Sequence, residues 1–505
     1  MPRVTKQNCR TSRNLAPLYY LAKIPMNRLL TLTAMSALPL VFSLTGCVPS
    51  HDVNPSLKPQ APAASVSTTL PTALQNGWPQ SQWWQHYHDP QLSAVIARAL
   101  NHAPDLNVAR QRIALAEAQA KMAAAADGPA VNFSSDVERQ KMSAEGLMGP
   151  FALTDPTAGT TGPWYTNGTF GLTAGWDLDL WGKNRAEVEG RIGRVRARNA
   201  ELQQAQQLLA SSVARLYWEW QTEAAIKTVL TTIEQQQEAI VAVDRALYQQ
   251  GITSSVEGAE TDINASKTQQ KLADVAGEMK MIEARLMALT NGQSSSLALQ
   301  SVSLPEVQAK MPATLGYELL ARRPDLQAAH WYIEASLKEV DAAKAAFYPD
   351  VNLMAFLQQD ALHLSDLFRH SAQQMGVTAG LTLPIFDSGR LNANLDIASA
   401  QSGLSIARYN KAVVDAVNQV AHDATRVETL MEKSARQKQV QQDASRIVAL
   451  AEARMKAGLI AGSRVNQARI PALQEQINGL KLQGQWLDAS IQLTSALGGG
   501  YHFSS

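Results

Sequence analysis

Few residues in this 505-residue chain have the types and spacing of reactive chemistry. The run HYHD groups His86, His88 and Asp89, two imidazoles and a carboxylate, as a transition-metal site would. No further ligands stand at a convincing spacing from them. Asp89 before Pro90 is also explained as the cap of a helix that starts at the proline. Neither a G-x-S-x-G elbow nor a phosphate-binding loop is present. No enzyme and no metal site is expected. The reactive side chain that remains is Cys47, which with Cys9 makes up the whole cysteine content. It closes the run SLTGC, directly after a greasy segment.

That segment explains the thiol. Residues 1–46 hold six basic residues (Arg3, Lys6, Arg10, Arg13, Lys23, Arg28) and no acid, and Leu29 to Gly46 carry no charge. Basic start, apolar middle and small residues at the end describe a secretory signal peptide. Met26 begins a second complete signal, so a start at Met1 or at Met26 is left open. Leu44-Thr45-Gly46-Cys47 resembles the bacterial lipoprotein box, in which the cysteine is acylated and becomes the mature N-terminus. The resemblance implies an N-acyl diacylglyceryl group on Cys47, labelled by palmitate, and no other cofactor. Val48 stands where an aspartate favours inner-membrane retention in enterobacterial lipoproteins, which implies the outer membrane. The full chain has 45 basic and 44 acidic residues, so loss of the six basic ones leaves an acidic protein. That weighs against a nucleic-acid partner. Residues 47–75, with prolines at 49, 55, 59, 62 and 71, read as a lipidated N-terminus and extended tether.

The elements beyond the tether occur twice. PDL at 104–106 meets PDL at 324–326, an offset of 220, and the register continues through Pro129 on Pro349 and Asn132 on Asn352. A second block, GLTAG at 171–175 against GVTAG at 376–380, matches at an offset of 205 and sets Arg185 on Arg390. The repeats span 76–300 and 301–505, each reading helix, two strands, long helical hairpin. Extra residues rich in Gly, Pro and Thr around 145–168 mark a longer loop in the first.

Strand evidence is period-two alternation. Phe170, Leu172, Ala174, Trp176 and Leu178 are apolar between small or polar neighbours, as are Val377, Ala379, Leu381 and Leu383. Helix evidence is a proline-free stretch from 164 to 304 in which Val188, Ile192, Val195, Leu202, Leu209, Val213, Leu216 and Trp220 keep a heptad spacing. A helix from about Lys183 to Gln250 would be roughly 100 Å long, which suits a tube or a stalk. Four strands cannot close a barrel, and open edges are not tolerated in hydrocarbon. If these strands enter a membrane, several chains must share one barrel.

WW at 83–84, DPQL at 89–92, the paired PDL elements, WDLDLWGKNR at 176–185 and LPIFDSGR at 383–390 resemble the TolC family of outer-membrane efflux proteins, lipoprotein branch. The resemblance implies a mainly α fold with a membrane portion: a homotrimer sharing a 12-stranded outer-membrane β-barrel continuous with a 12-helix periplasmic tunnel. It further implies a periplasmic adaptor, an inner-membrane pump, contact with outer-membrane lipids, and drugs or amphipathic toxins as cargo. By position, Tyr248, Gln249, Gly251, Ile252, Met455, Lys456, Gly458 and Leu459 are the adaptor-contact candidates at the two tunnel tips. Plain helix capping is the alternative reading of the glycines. GITSSVE before its next aligned valine is two residues shorter than GLIAGSRV, so the tips are expected to differ. Asp244, Arg245, Arg454 and Arg464 flank them as candidate gate ion pairs. Gly175, Gly182, Gly380, Pro384 and Gly389 are candidate bends between barrel and tunnel. Two other functions fit parts of the pattern: an exit duct for type I protein secretion, and a non-conducting coiled-coil envelope lipoprotein.

Overall fold

The computed structural model describes residues 57–60, 75–141, 164–292, 298–306, 310–312 and 317–501, all within one compact unit, His51–Ser505. The signal peptide, Cys47, most of the tether and the centre of the 145–168 loop lie outside the described residues. The two sequence repeats are visible as two copies of one element order. In the first copy helices α1 (Pro90–His102) and α2 (Pro104–Ala125) precede strands β2 (Ala130–Lys141) and β3 (Trp164–Leu178), then helices α3 (Lys183–Gln249) and α4 (Ser255–Leu289). The second runs α5 (Tyr317–Arg322), α6 (Pro324–Ala345), β5 (Asp350–Ala361), β6 (Gln373–Thr382), α7 (Arg390–Lys456) and α8 (Gly462–Ala496). Two-residue strands β1 (Gln75–Asn76) and β4 (Lys310–Met311) pair in parallel.

The long helices make a wall. Helix α3 packs against α2, α4, α6 and α8, and α7 packs against α6 and α8. Helices α3 and α7 each have 67 residues and α4 and α8 each have 35. A sleeve of apolar side chains holds the wall at mid-length. Leu92, Val95 and Ile96 of α1 are buried against Tyr217 and Trp218 of α3, Ile282 and Leu286 of α4, and Leu487 and Ile491 of α8. Each such side chain contributes about 1.5–3 kcal/mol on burial.

The heptad reading is corrected in the upper half of α3. Ala186, Gly190, Gly193, Ala197 and Ala200 are the buried residues there, while Ile192 is exposed. Small residues let α6 approach closely, and the larger apolar side chains of the heptad lie off that contact. The offset of 205 is also corrected. Asp350 pairs with Thr382 as Ala130 pairs with Gly175, and the glycines before α3 and α7 are Gly182 and Gly389, so the second-block offset is 207. A slip of two residues keeps every strand side chain on its own face, which is why alternation could not reveal it.

Candidate functional site: an amphipathic sheet and two hairpin tips

The sheet has order β2-β3-β5-β6, antiparallel throughout. Its register sorts residues onto faces, because directly opposite residues share a face. One face carries Val131, Phe133 and Val137 of β2, Phe170, Leu172, Ala174 and Trp176 of β3, then Val351, Leu353, Ala355 and Leu357 of β5. It ends on Leu381, Ala379, Val377 and Met375 of β6. The other face is mainly polar, carrying Asn132, Ser134, Asp136 and Glu138, then Gly171 and Thr173, then Asn352 and Gln358 with Met354 and Phe356 between them, then Gln374 and Thr378. Phe133, Val137, Met375, Val377 and Leu381 are strongly exposed, and β2 and β6 have no strand on their outer edges among the described residues. An apolar face of this breadth is not a stable surface in water. No described helix is long and apolar enough to cross a membrane.

At the foot of the sheet the strands turn into helices. Gly182 (φ 75°) and Gly389 (φ 85°) take the left-handed conformation at the N-caps of α3 and α7. The two aspartates before them were not foreseen. Asp179 accepts from the amides of Asn184 (3.1 Å) and Arg185 (2.9 Å), and Asp387 from those of Gly389 (3.0 Å) and Leu391 (2.8 Å). An aspartate two or three residues before a glycine at the end of an alternating run is the signal that could have found them. Trp181 stacks on Tyr348 with ring centres 5.0 Å apart and donates to the Pro349 carbonyl (2.7 Å), tying the two repeats together. Gly175 and Gly380 are not at these bends: both lie inside strands, Gly175 opposite Ala130 and Gly380 opposite Asn352. Pro384 lies just beyond β6.

At the far end of the wall are the two tips. The Ile252 amide donates to the Leu247 carbonyl and that of Gly251 to the Tyr248 carbonyl, both at 2.9 Å. Leu459 to Arg454 and Gly458 to Met455 repeat this at 2.9 Å. These are Schellman caps, with Gly251 at φ 71° and Gly458 at φ 73°. Nothing lies within 4 Å of where a Cβ would stand at either glycine, so conformation, not space, requires them. Helices α4 and α8 start after Ser254 and Ala461, the same distance beyond the two glycines. The tips are therefore equal in length, and the expected two-residue difference is corrected; its cause was pairing Val256 with Val465. They differ in chemistry instead. Ser254 and Glu257 form a capping box, and hydrogen bonds from Thr253 and Ser254 hold the Glu257 carboxyl below the ordinary carboxylate range. Ala461 has no side-chain cap.

Tyr248, Ile252, Met455 and Leu459 are exposed apolar side chains around these turns, and Gln249, Gly251, Lys456 and Gly458 are exposed with them. The four gate candidates do not pair with one another in the chain. Arg245 reaches Asp262 across its own hairpin (3.3 Å), and Arg464 donates to Gln467 (3.0 Å). Asp89 of the HYHD run caps α1, accepting from the Leu92 amide (3.0 Å) and from the Tyr217 hydroxyl (2.6 Å). Burial and that carboxylate raise the Tyr217 pKa far above the usual range.

The profile of the outer membrane efflux protein family matches residues 95–292 and 315–499. The chain belongs to this family. Among curated relatives, it is 70% identical over 476 residues to the multidrug resistance outer membrane protein MdtQ of Escherichia coli O157:H7, covering 94% of this chain and 100% of that protein. It is 39% identical over 432 residues to MdtP of Escherichia coli K12, covering 84% and 88%. Among solved structures, VceC of Vibrio cholerae superposes with a TM-score of 0.73 at 28% identity, over 84% of this chain and 100% of that one. The Campylobacter jejuni CmeC outer membrane channel gives 0.78 at 19% identity, over 91% and 96%. The amphipathic sheet is thus found in a fold shared with outer-membrane channels.

Proposed function

We propose that this protein is the outer-membrane channel of a multidrug efflux assembly, a passive duct formed by three copies of the chain. The observation that carries the reading is the inequality of the two repeats. Helix α6 is sandwiched between the long helices α3 and α7, whereas α2, its counterpart, packs mainly on α3, with a small contact to α1. Ala328, Ala335 and Ala342 of α6 are buried; the counterparts 220 residues earlier are Val108, Leu115 and Met122, all strongly exposed. Likewise Gly190 and Ala197 of α3 are buried, and their counterparts on α7, Ile397 and Leu404, are exposed. The unpartnered residues are the counterparts of the partnered ones. A neighbouring copy that places its α7 on α2, and its β6 beside β2, repeats within the assembly the contact made inside the chain. Three copies give 12 strands, enough for a barrel with a passage.

In this reading the apolar sheet face meets lipid and the polar face lines the passage. The exposed tip residues receive a periplasmic adaptor, and energy comes from an inner-membrane pump. Cys47 carries the lipid anchor. The relatives' names favour drugs over secreted proteins as cargo. The test is the mass of the detergent-purified protein together with drug accumulation in cells lacking it. A trimer and raised accumulation are expected; a monomer overturns the assembly, and unchanged accumulation with a lost secreted protein favours the type I alternative. Cys47→Ser is expected to abolish palmitate labelling.

A further inference from the structure

At mid-length, α3 turns Ala214, Tyr217, Trp218 and Gln221 toward α1 and the apolar sleeve. At 3.6 residues per turn the opposite side belongs to Ser212, Glu219 and Glu223. These line a cavity of about 730 Å³ with charged residues from the other helices of the wall. Arg215 of α3 and Arg426 of α7 both bind Asp488 of α8, Arg426 at 3.1 Å. Arg285 of α4 and Lys481 of α8 complete the cationic set. Burial raises the pKa of Glu219, and Glu278 of α4 adds to it; burial also raises that of Glu223, with Lys481 opposing and Glu278 and Glu219 adding. Glu219, Glu223, Glu278, Arg285 and Lys481 have no ion-pair partner within 4.0 Å among the described residues.

The geometry points to a charge-selecting belt: α1 and the apolar sleeve cover one side of the wall, so on the tunnel reading above the uncovered, charged side faces the passage, and these eight side chains set which charged solutes cross it. The belt balances Arg215, Arg285, Arg426 and Lys481 against Glu219, Glu223, Glu278 and Asp488. A balanced wall admits cations and anions alike, where a single-sign wall would concentrate one and repel the other. Balance does not survive acid. Glu219 and Glu223 take up protons at higher pH than ordinary carboxylates. Their loss of charge leaves the cations in excess, so the belt turns toward anions.

The test is the zero-current potential of the purified protein in planar bilayers under a KCl gradient. Weak selectivity is expected near pH 7, with a several-fold shift of the permeability ratio toward chloride as the solution is acidified, beginning at higher pH than an ordinary carboxylate would titrate. Glu219→Gln with Glu223→Gln should prefer anions already at neutral pH and lose the shift. Arg285→Gln with Lys481→Gln should move the ratio toward cations. Conductance with a pH-independent ratio in the parent protein, or a full shift in the double glutamine variant, overturns the belt and leaves the channel intact. A correctly folded trimer that conducts nothing overturns the channel reading and the belt with it.

Discussion

Gly193 of α3 lies so close to Ala335 of α6 that a Cβ added to the glycine would stand 3.0 Å from the alanine Cβ. Two helices meet there with almost no side chain between them, and Gly190 repeats the approach against the Ala335 carbonyl at 3.3 Å. Gly193→Val should therefore lose stability despite removing a helix glycine. Overpacking costs about 1–3 kcal/mol, against a helix gain of only some tenths. Denaturant unfolding in detergent measures it, and an unchanged midpoint would mean that α6 can step back freely.

In the proposed assembly the counterpart contact would be made by large residues, so it should break differently. Leu115→Glu places a charge on the exposed face of α2. The single chain should fold, since nothing in it touches that side chain closely enough to bury it. The assembly should not hold, because a carboxylate would be buried unpaired at every interface, at a cost of several kcal/mol each. Mass in detergent should fall from trimer to monomer while helical circular dichroism is kept.

How much of this was legible beforehand is shown by these same residues. The 67-residue span of α3 was readable because no proline interrupts it and a glycine marks each end. Its packing face was not, because an apolar-periodicity reading gives weight to size and passes over Ala186, Gly190 and Gly193 in favour of Val188 and Ile192. The tips were placed by Gly251 and Gly458, whose left-handed caps have no cheap substitute. Which side of α2 was unpartnered needed the structure, since only the comparison of Leu115 with Ala335 reveals it.

With the offset of 207, the proposed trimer has a definite strand register between copies. Within the chain Gly168 lies opposite Ala361 and Thr169 opposite Asp360. Carried through the repeat, the proposed trimer would set Thr378 of β6 opposite Glu138 of β2 in the next copy, on the polar face. Opposite Cβ atoms of paired strands are about 4.5–5.5 Å apart, within reach of a disulfide after small adjustment. Thr378→Cys with Glu138→Cys should give a covalent trimer ladder on a non-reducing gel. Val377→Cys with Glu138→Cys, on opposite faces, should not. Reversal of that pattern would mean a register shifted by one residue.

The tip glycines make a narrower prediction. Gly458→Ala puts a Cβ on a residue at φ 73° with open space around it, so the cost is conformational alone, about 1–2 kcal/mol. Gly458→Asn should recover much of that, because asparagine tolerates the left-handed cap. Hydrogen exchange at Leu459, whose amide donates to the Arg454 carbonyl, reads the cap directly. Faster exchange in the alanine variant than in the asparagine variant is expected.

Stability should also depend on pH through the mid-wall carboxylates. Glu219 and Glu223 have folded pKa values raised above the ordinary carboxylate value, chiefly by burial. The folded state then binds protons more readily than the unfolded chain, so these two groups weaken the fold once pH exceeds their folded pKa. That loss is relieved as pH falls toward the unfolded value and is absent below it. Glu223→Gln should accordingly raise the melting temperature at neutral pH and leave it unchanged in acid. Because Lys481 opposes the shift at Glu223, Lys481→Gln should have the reverse effect, lowering stability at neutral pH only. A variant pair that moved together, or moved equally at both pH values, would place the effect in packing and not in charge.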